Sequence, residues 1–195
     1  MTTLAGGFNL ERMKYFNGLL FLMTCLMAGV AMAQDTNDLK TQLGWFEART
    51  NVVIIKSFGP VGGIALGAQE LSVRCKQTVD TSTGEKVYGL VIECEGNAAA
   101  ERMLVDDDEV DSLINAVNYL AKINFDASPL PGFEASYTSK AGLRVIAHGD
   151  RRDGGVQAYV QLGDGPRTPL SAVQMSQLYG LLDQGRKSLA ALKAK

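Results

Sequence analysis

The chain contains a weak internal repeat. Residues 101–117 (ERMLVDDDEVDSLINAV) align without gaps with residues 166–182 (PRTPLSAVQMSQLYGLL). In both copies a short apolar strand is followed by a helix-capping pattern, D-x-x-E from Asp106 and S-x-x-Q from Ser171. The repeat predicts an α+β fold of two weakly similar repeats, each an antiparallel β-meander followed by a helix packed on the sheet.

A linker separates the two repeats. We expect the first repeat at about residues 45–123 and the second at about 133–195. The segment between them, NFDASPLPG at 124–132, contains two prolines and a glycine, which is typical of a connection between elements.

Local patterns indicate the elements inside each repeat. The runs FEASYT, LRVIAH and VQAYVQL alternate apolar and polar residues and predict an antiparallel meander. After each capping pattern, apolar residues recur at helical spacing. In the second of these helices, Gly185 is predicted to be a C-cap or a break.

Residues 13–33 (MKYFNGLLFLMTCLMAGVAMA) are typical of a secretory signal peptide. Lys14 precedes an apolar run at 19–30, and Ala31 and Ala33 form the small-x-small pattern of a cleavage site. The run is shorter than the roughly 20 apolar residues that cross a bilayer. The pattern therefore favours cleavage over a membrane anchor.

Cleavage defines the mature chain. We expect it to remove residues 1–33, with Met13 as an alternative initiator, and to leave one exported domain at 34–195 that is periplasmic or secreted and has no membrane span. A lipoprotein is disfavoured because residues larger than Ala and Gly precede Cys25. The mature chain carries 17 Lys and Arg against 20 Asp and Glu, a net charge of −3, which gives no support to binding of a polyanion.

Export also changes the interpretation of the two remaining cysteines. In an oxidising compartment a lone pair of cysteines favours a disulfide. A hairpin with a two-residue loop at Gly84 and Glu85 pairs residues whose numbers sum to 169, which places Cys75 opposite Cys94 on one face. We therefore predict a Cys75–Cys94 disulfide that staples the hairpin, since the chain has no C-x-x-C motif of a redox centre.

Candidate catalytic and metal-binding residues are few. His148 is the only histidine and lies beside Asp150 and Asp153, but aspartates and glycines are also what a polar hairpin turn contains. The acidic run 106–109 leads directly into a helix, so capping explains it better than calcium. The glycine-rich run 59–63 lacks nucleotide-binding spacing and predicts a bend or bulge. We predict no catalytic, cofactor-binding or metal-binding residue.

These observations favour a non-catalytic binding or interaction module of the cell envelope. Its partner would be an unknown protein or envelope ligand, contacted through Arg151 and Arg152 at a hairpin tip and through Trp45; burial in the core is the alternative for Trp45. Two other functions stay open. One is an envelope hydrolase using His148, and the other is a single-stranded nucleic-acid-binding module, against which the net charge counts.

Overall fold

Eight strands form two antiparallel four-stranded sheets in the computed structural model, which describes residues 38–96 and 101–194. The first sheet contains β1 (Ile54–Leu66), β2 (Gln69–Asp80), β3 (Lys86–Glu95) and β4 (Glu101–Asp106). The second contains β5 (Gly132–Thr138), β6 (Leu143–Asp150), β7 (Gly155–Leu162) and β8 (Thr168–Leu170). Strand order follows the chain in both sheets, so each sheet is a meander. The predicted signal peptide at 1–33, including Cys25, lies outside the described residues.

Among the described residues three α-helices accompany the sheets, which gives an α+β fold. They are α1 (Gln42–Glu47), α2 (Val110–Leu120) and α3 (Ala172–Lys193). A helix of the predicted kind follows each meander, with α2 after β4 and α3 after β8. Within residues 38–96 and 101–194, no helix has the length and apolarity needed to cross a membrane.

The two long helices do not pack where the repeat predicts. Helix α2 follows the first sheet but packs mainly on β5 and β6 of the second, whereas α3 follows the second sheet and packs mainly on β1, β2 and β3 of the first. The helices also contact each other. As a result, both sheets and both helices contribute to one apolar core, which includes Leu71, Ile92, Leu113, Val145, Leu178 and Leu182.

Gly185 is neither a C-cap nor a break, because α3 continues through it to Lys193. It lies where the helix crosses the first sheet. A Cβ atom at this position would be 2.9 Å from Cδ2 of Leu90, a fully buried residue of β3. The glycine therefore allows α3 to approach the sheet closely. The residues that flank Gly185 in the sequence do not indicate this contact.

The β2–β3 hairpin shows that the predicted disulfide is wrong. Paired residue numbers sum to 165 rather than 169, because the loop between the strands is longer than two residues. Cys75 lies opposite Leu90. Cys94 lies opposite Leu71, and both cysteines are free and buried. The offset of four residues is roughly 13 Å along a strand, beyond the reach of a disulfide.

The face of each cysteine is nevertheless as predicted. A register shift by an even number of residues keeps every side chain on its own side of the sheet. Both Cys75 and Cys94 accordingly contribute to the apolar core.

The glycine-rich run at 59–63 is part of β1. The register of β1 against β2 shifts between Pro60 and Gly62, so the predicted bulge is present. Strand β1 continues on both sides of the bulge and is paired with β2 before and after it.

Candidate functional site

The short helix α1 lies on the outer face of the first sheet and is held there at its N-terminus. The Thr41 side chain accepts a hydrogen bond from Gly44 N at 2.9 Å. The carboxylate of Asp106, at the end of β4, accepts hydrogen bonds from Gln42 N at 2.7 Å and Leu43 N at 3.1 Å. A helix of six residues has little intrinsic stability, so these caps are what position it.

Asp106 therefore has a different role from the one predicted. The D-x-x-E pattern predicts that it caps the helix that follows, but its side chain makes no such hydrogen bond. The matching prediction for the second repeat is confirmed, since Ser171 and Gln174 form a reciprocal capping box at the start of α3. Asp106 is instead fully buried beneath α1.

Helix α1 presents two distinct faces. Leu43 is buried against Val91 and Leu104 of the sheet, in a small apolar cluster separate from the main core. A side chain at Gly89 would meet Leu43 Cδ1 at 2.5 Å, so the glycine makes room for this contact. On the other face, Trp45 is 61% exposed. The interpretation of Trp45 as a core residue is thus wrong, and its exposure is compatible with a contact residue.

Arg49 contacts two aromatic rings of α1, the exposed Trp45 and the buried Phe46. Its guanidinium carbon lies 5.2 Å from the ring centroid of Trp45 and 4.0 Å from that of Phe46. The same guanidinium forms ion pairs with Asp80 at 3.1 Å and Glu85 at 2.8 Å. Because these carboxylates belong to the β2–β3 hairpin, Arg49 joins the helix to the sheet.

Asp80 organises the loop that receives Arg49. Its carboxylate accepts hydrogen bonds from Ser82 Oγ at 2.5 Å, from Ser82 N at 2.8 Å and from Thr83 N at 3.3 Å. Hydrogen bonding from the Ser82 hydroxyl, with those from the backbone and Arg49, lowers the pKa of Asp80 to about 2. The loop is therefore built around an ionised carboxylate.

A buried ion pair lies beside α1. Lys76 of β2 is fully buried and pairs with Glu47, which also pairs with Lys56 at 2.6 Å and accepts a hydrogen bond from Thr78 Oγ1 at 3.1 Å. Burial raises the pKa of Glu47, but the hydrogen bonds from Lys56 and Lys76 outweigh it and the net direction is downward. Glu47 is thus held as a carboxylate between two lysines.

Phe58 forms a second exposed aromatic–cation group on the sheet, which Lys76 links to Glu47 of α1. It is 41% exposed on β1, with the guanidinium carbon of Arg74 at 4.7 Å from its ring centroid and Lys76 Nζ at 5.4 Å. Arg74 in turn pairs with Glu93 at 3.4 Å. We call Trp45, Arg49, Phe58 and Arg74 the aromatic–cation surface.

The ion pairs around this surface balance one another. They involve four cations and four carboxylates, namely Arg49, Lys56, Arg74, Lys76, Glu47, Asp80, Glu85 and Glu93. A polyanion is bound by an excess of positive charge, and these pairs provide none. The surface is better matched to a partner with mixed polar and apolar groups.

Of the predicted contact residues at the β6–β7 tip, Arg151 has a structural role. Its side chain donates to the carbonyl oxygens of Phe125 at 3.0 Å and Ser128 at 3.5 Å, and its guanidinium carbon lies 5.3 Å from the Phe125 ring centroid. Arg152 is exposed, and among the described residues its side chain has no partner. The structure does not bring either arginine into the aromatic–cation surface.

His148 lies on β6 and is exposed, with Glu134 and Gln157 as its cross-strand neighbours. Glu134 pairs with Arg167 at 2.9 Å and Arg144 at 3.7 Å. Within residues 38–96 and 101–194, no group of three or more His, Cys, Asp or Glu side chains is arranged to hold a metal ion.

Phe58 and Arg74 were missed by sequence reasoning. The run F-G-P-V-G-G, which begins at Phe58, gives no sign that β1 continues as one strand through the bulge. Alternation in β2 places Arg74 and Lys76 on one face, and that signal could have identified Arg74, one of the four residues of the surface.

Comparison with known proteins finds no family model that matches the chain, and no curated protein or solved structure that is significantly similar to it.

Proposed function

We propose that the chain is an exported, non-catalytic module of the cell envelope that binds another protein through the aromatic–cation surface. The observation that carries this proposal is the exposed Trp45, held in place by an arginine that is itself anchored to two carboxylates. Trp and Arg are the residues most enriched at the centres of protein interfaces. A fixed side chain loses less conformational entropy on binding than a mobile one.

The chemistry of the surface favours a protein over a nucleic acid as the partner. Its ion pairs are balanced, and its exposed apolar area comes from Trp45 and Phe58. Protein interfaces combine such aromatic anchors with arginines inside a polar rim. We also infer that the two meander–helix units are related repeats, which their common element order supports.

Site-specific crosslinking tests the proposed binding surface. A photo-crosslinking amino acid is placed at Trp45 and, as a matched control, at Tyr179, an aromatic residue of α3 that is 39% exposed. In cells of the native host, we expect a discrete protease-sensitive adduct from position 45 only. Replacing both Phe58 and Arg74 by Ala is expected to weaken that adduct, whereas Arg152→Ala leaves it unchanged.

Two outcomes contradict the proposed surface. One is an equal set of adducts from positions 45 and 179. The other is a position-45 adduct that is resistant to protease or insensitive to the Phe58 and Arg74 changes. Circular dichroism and the urea midpoint of each variant confirm that it is folded.

Export is tested separately by the mass of the mature chain. Intact mass spectrometry of the protein from the envelope fraction is expected to show an N-terminus at Gln34. Replacing Ala31 and Ala33 by Asp should block cleavage and lengthen the product. Recovery of the full-length chain in the cytoplasm would contradict export.

A further inference from the structure

A groove lined by both polar and apolar groups lies beside the C-terminal half of α2, away from the residues of the aromatic–cation surface. Its volume is about 340 Å³, within the range of small-molecule sites. One wall is formed by Asn115, Asn118, Tyr119 and Lys122. These positions follow i, i+3, i+4 and i+7, so they form one stripe along the helix and the turn that follows it.

The groups on this wall are free to bind a ligand. Within residues 38–96 and 101–194, no side chain of the stripe has a hydrogen-bond or ion-pair partner. Tyr119 is 63% exposed. Each Asn amide offers one acceptor and two donors in a plane, and the tyrosine and lysine add hydroxyl and ammonium groups.

The opposite wall is a loop held in a defined position. Asn124 begins it and accepts a hydrogen bond from Asp126 N at 2.8 Å. Phe125 packs edge-on against Phe133 of β5 with ring centroids 5.9 Å apart. Arg151 then holds the carbonyl oxygen of Phe125 at 3.0 Å. The loop is thus held by β5 and by the β6–β7 turn, and the groove is preformed.

We propose that this groove binds a saccharide. Sugar hydroxyl groups both donate and accept hydrogen bonds, which matches the paired donors and acceptors of the Asn amides. The ring of Tyr119 is an apolar platform with a polar edge, suited to the C–H face of a pyranose. Among the described residues no carboxylate lines the groove, and Tyr119, Ile123 and Ala127 add apolar surface beside its polar groups. A metal cation would find few matching groups, whereas a sugar can use both the polar groups and the apolar surface.

The test is an NMR titration of the folded domain with three neutral tetrasaccharides, namely maltotetraose, cellotetraose and the tetramer of N-acetylglucosamine. We expect at least one of them to shift the amide resonances of α2 and of the loop at 123–127 at millimolar concentration. Tyr119→Ala and Asn118→Ala should each weaken binding about fivefold to tenfold. Ser112→Ala, on the same helix, and Tyr179→Ala, on α3, should leave it unchanged.

Three results would overturn the proposal. The first is the absence of groove shifts with all three tetrasaccharides. The second is binding that Tyr119→Ala and Asn118→Ala do not affect. The third is a response to inorganic phosphate alone, which would indicate an anion site at Lys122. None of these results bears on the crosslinking at Trp45, so the two proposals fail independently.

Discussion

Asp106→Ala should release α1 from the first sheet. The substitution removes a carboxylate that accepts two backbone hydrogen bonds, from Gln42 N at 2.7 Å and from Leu43 N at 3.1 Å, and that also pairs with Lys140 at 3.4 Å. A hydrogen bond to a charged group contributes about 1.5–3 kcal/mol, and its loss costs most where water cannot replace it. The bond to Leu43 N is buried and the bond to Gln42 N is partly buried, so we expect a loss of about 2–4 kcal/mol in total.

Urea unfolding followed by far-ultraviolet circular dichroism measures this loss. In a domain of this size, the expected loss of stability should lower the Tm by on the order of 10 °C. Trp45 is the only tryptophan of the chain and lies on α1, so its emission reports the local change. In Asp106→Ala we expect faster hydrogen exchange of the amides of α1 and a change in the Trp45 emission as its contact with Arg49 is lost. Asp106→Asn retains one acceptor oxygen and should lose about half as much stability.

Asp108→Ala is the matched control. The Asp108 carboxylate is 61% exposed and pairs with Lys140 at 2.8 Å, so its removal should change stability by less than about 0.5 kcal/mol. If Asp106→Ala unfolds at the same urea concentration as Asp108→Ala, with unchanged exchange in α1, the assignment of Asp106 as the cap of α1 is refuted.

Three further predictions concern the core and the hairpin. Burial raises the pKa of the Cys75 and Cys94 thiols, so both should react with a thiol reagent only after unfolding. Rapid labelling of the native protein would contradict this, as would the mass loss of two hydrogens that accompanies a disulfide. The folded pKa of Asp80 is about 2, below the roughly 3.9 of an unfolded Asp. The stability that ionised Asp80 gives the folded state is therefore present above pH 4 and lost as the pH falls towards 2. The difference in urea midpoint between the wild type and Asp80→Asn should shrink over that range. A constant difference would contradict the lowered pKa. Gly185→Val should destabilise the core by about 1–3 kcal/mol. Gly180→Val should not, because a Cβ at that position has open space. Equal effects of the two substitutions in urea unfolding would show that α3 does not approach the sheet closely at Gly185.

Local sequence patterns were sufficient for much of the second half of the chain. The alternating runs correspond to β5, β6 and β7, and the capping box at Ser171 begins α3. These features depend on neighbours within a few residues, such as the three-residue spacing from Ser171 to Gln174. Periodicity also placed Cys75 and Cys94 on the correct face, since a face depends only on alternation along the strand.

The register of the β2–β3 hairpin could not be predicted from such local patterns. Gly84 does adopt the left-handed conformation, with φ of 73°, but the loop closes on the Asp80 side chain, which accepts bonds from Ser82 and Thr83. Several loop lengths are compatible with one glycine. The choice between them depends on side-chain hydrogen bonds that alternation does not encode.

The sequence by itself determined the strands β5, β6 and β7, the start of α3 and the apolar side of these elements, because these properties arise from local periodicity and capping. Tertiary structure decided which surfaces meet. It placed α2 and α3 each on the sheet of the other half, brought Asp106 under a helix that begins 64 residues earlier, and tied Arg151 to the loop at Phe125. An apolar stripe packs equally well on any matching face, and a carboxylate caps the N-terminus of any helix within reach. Such choices are therefore settled by the packing of the whole domain, and the exposed Trp45 and the groove beside α2 result from that packing.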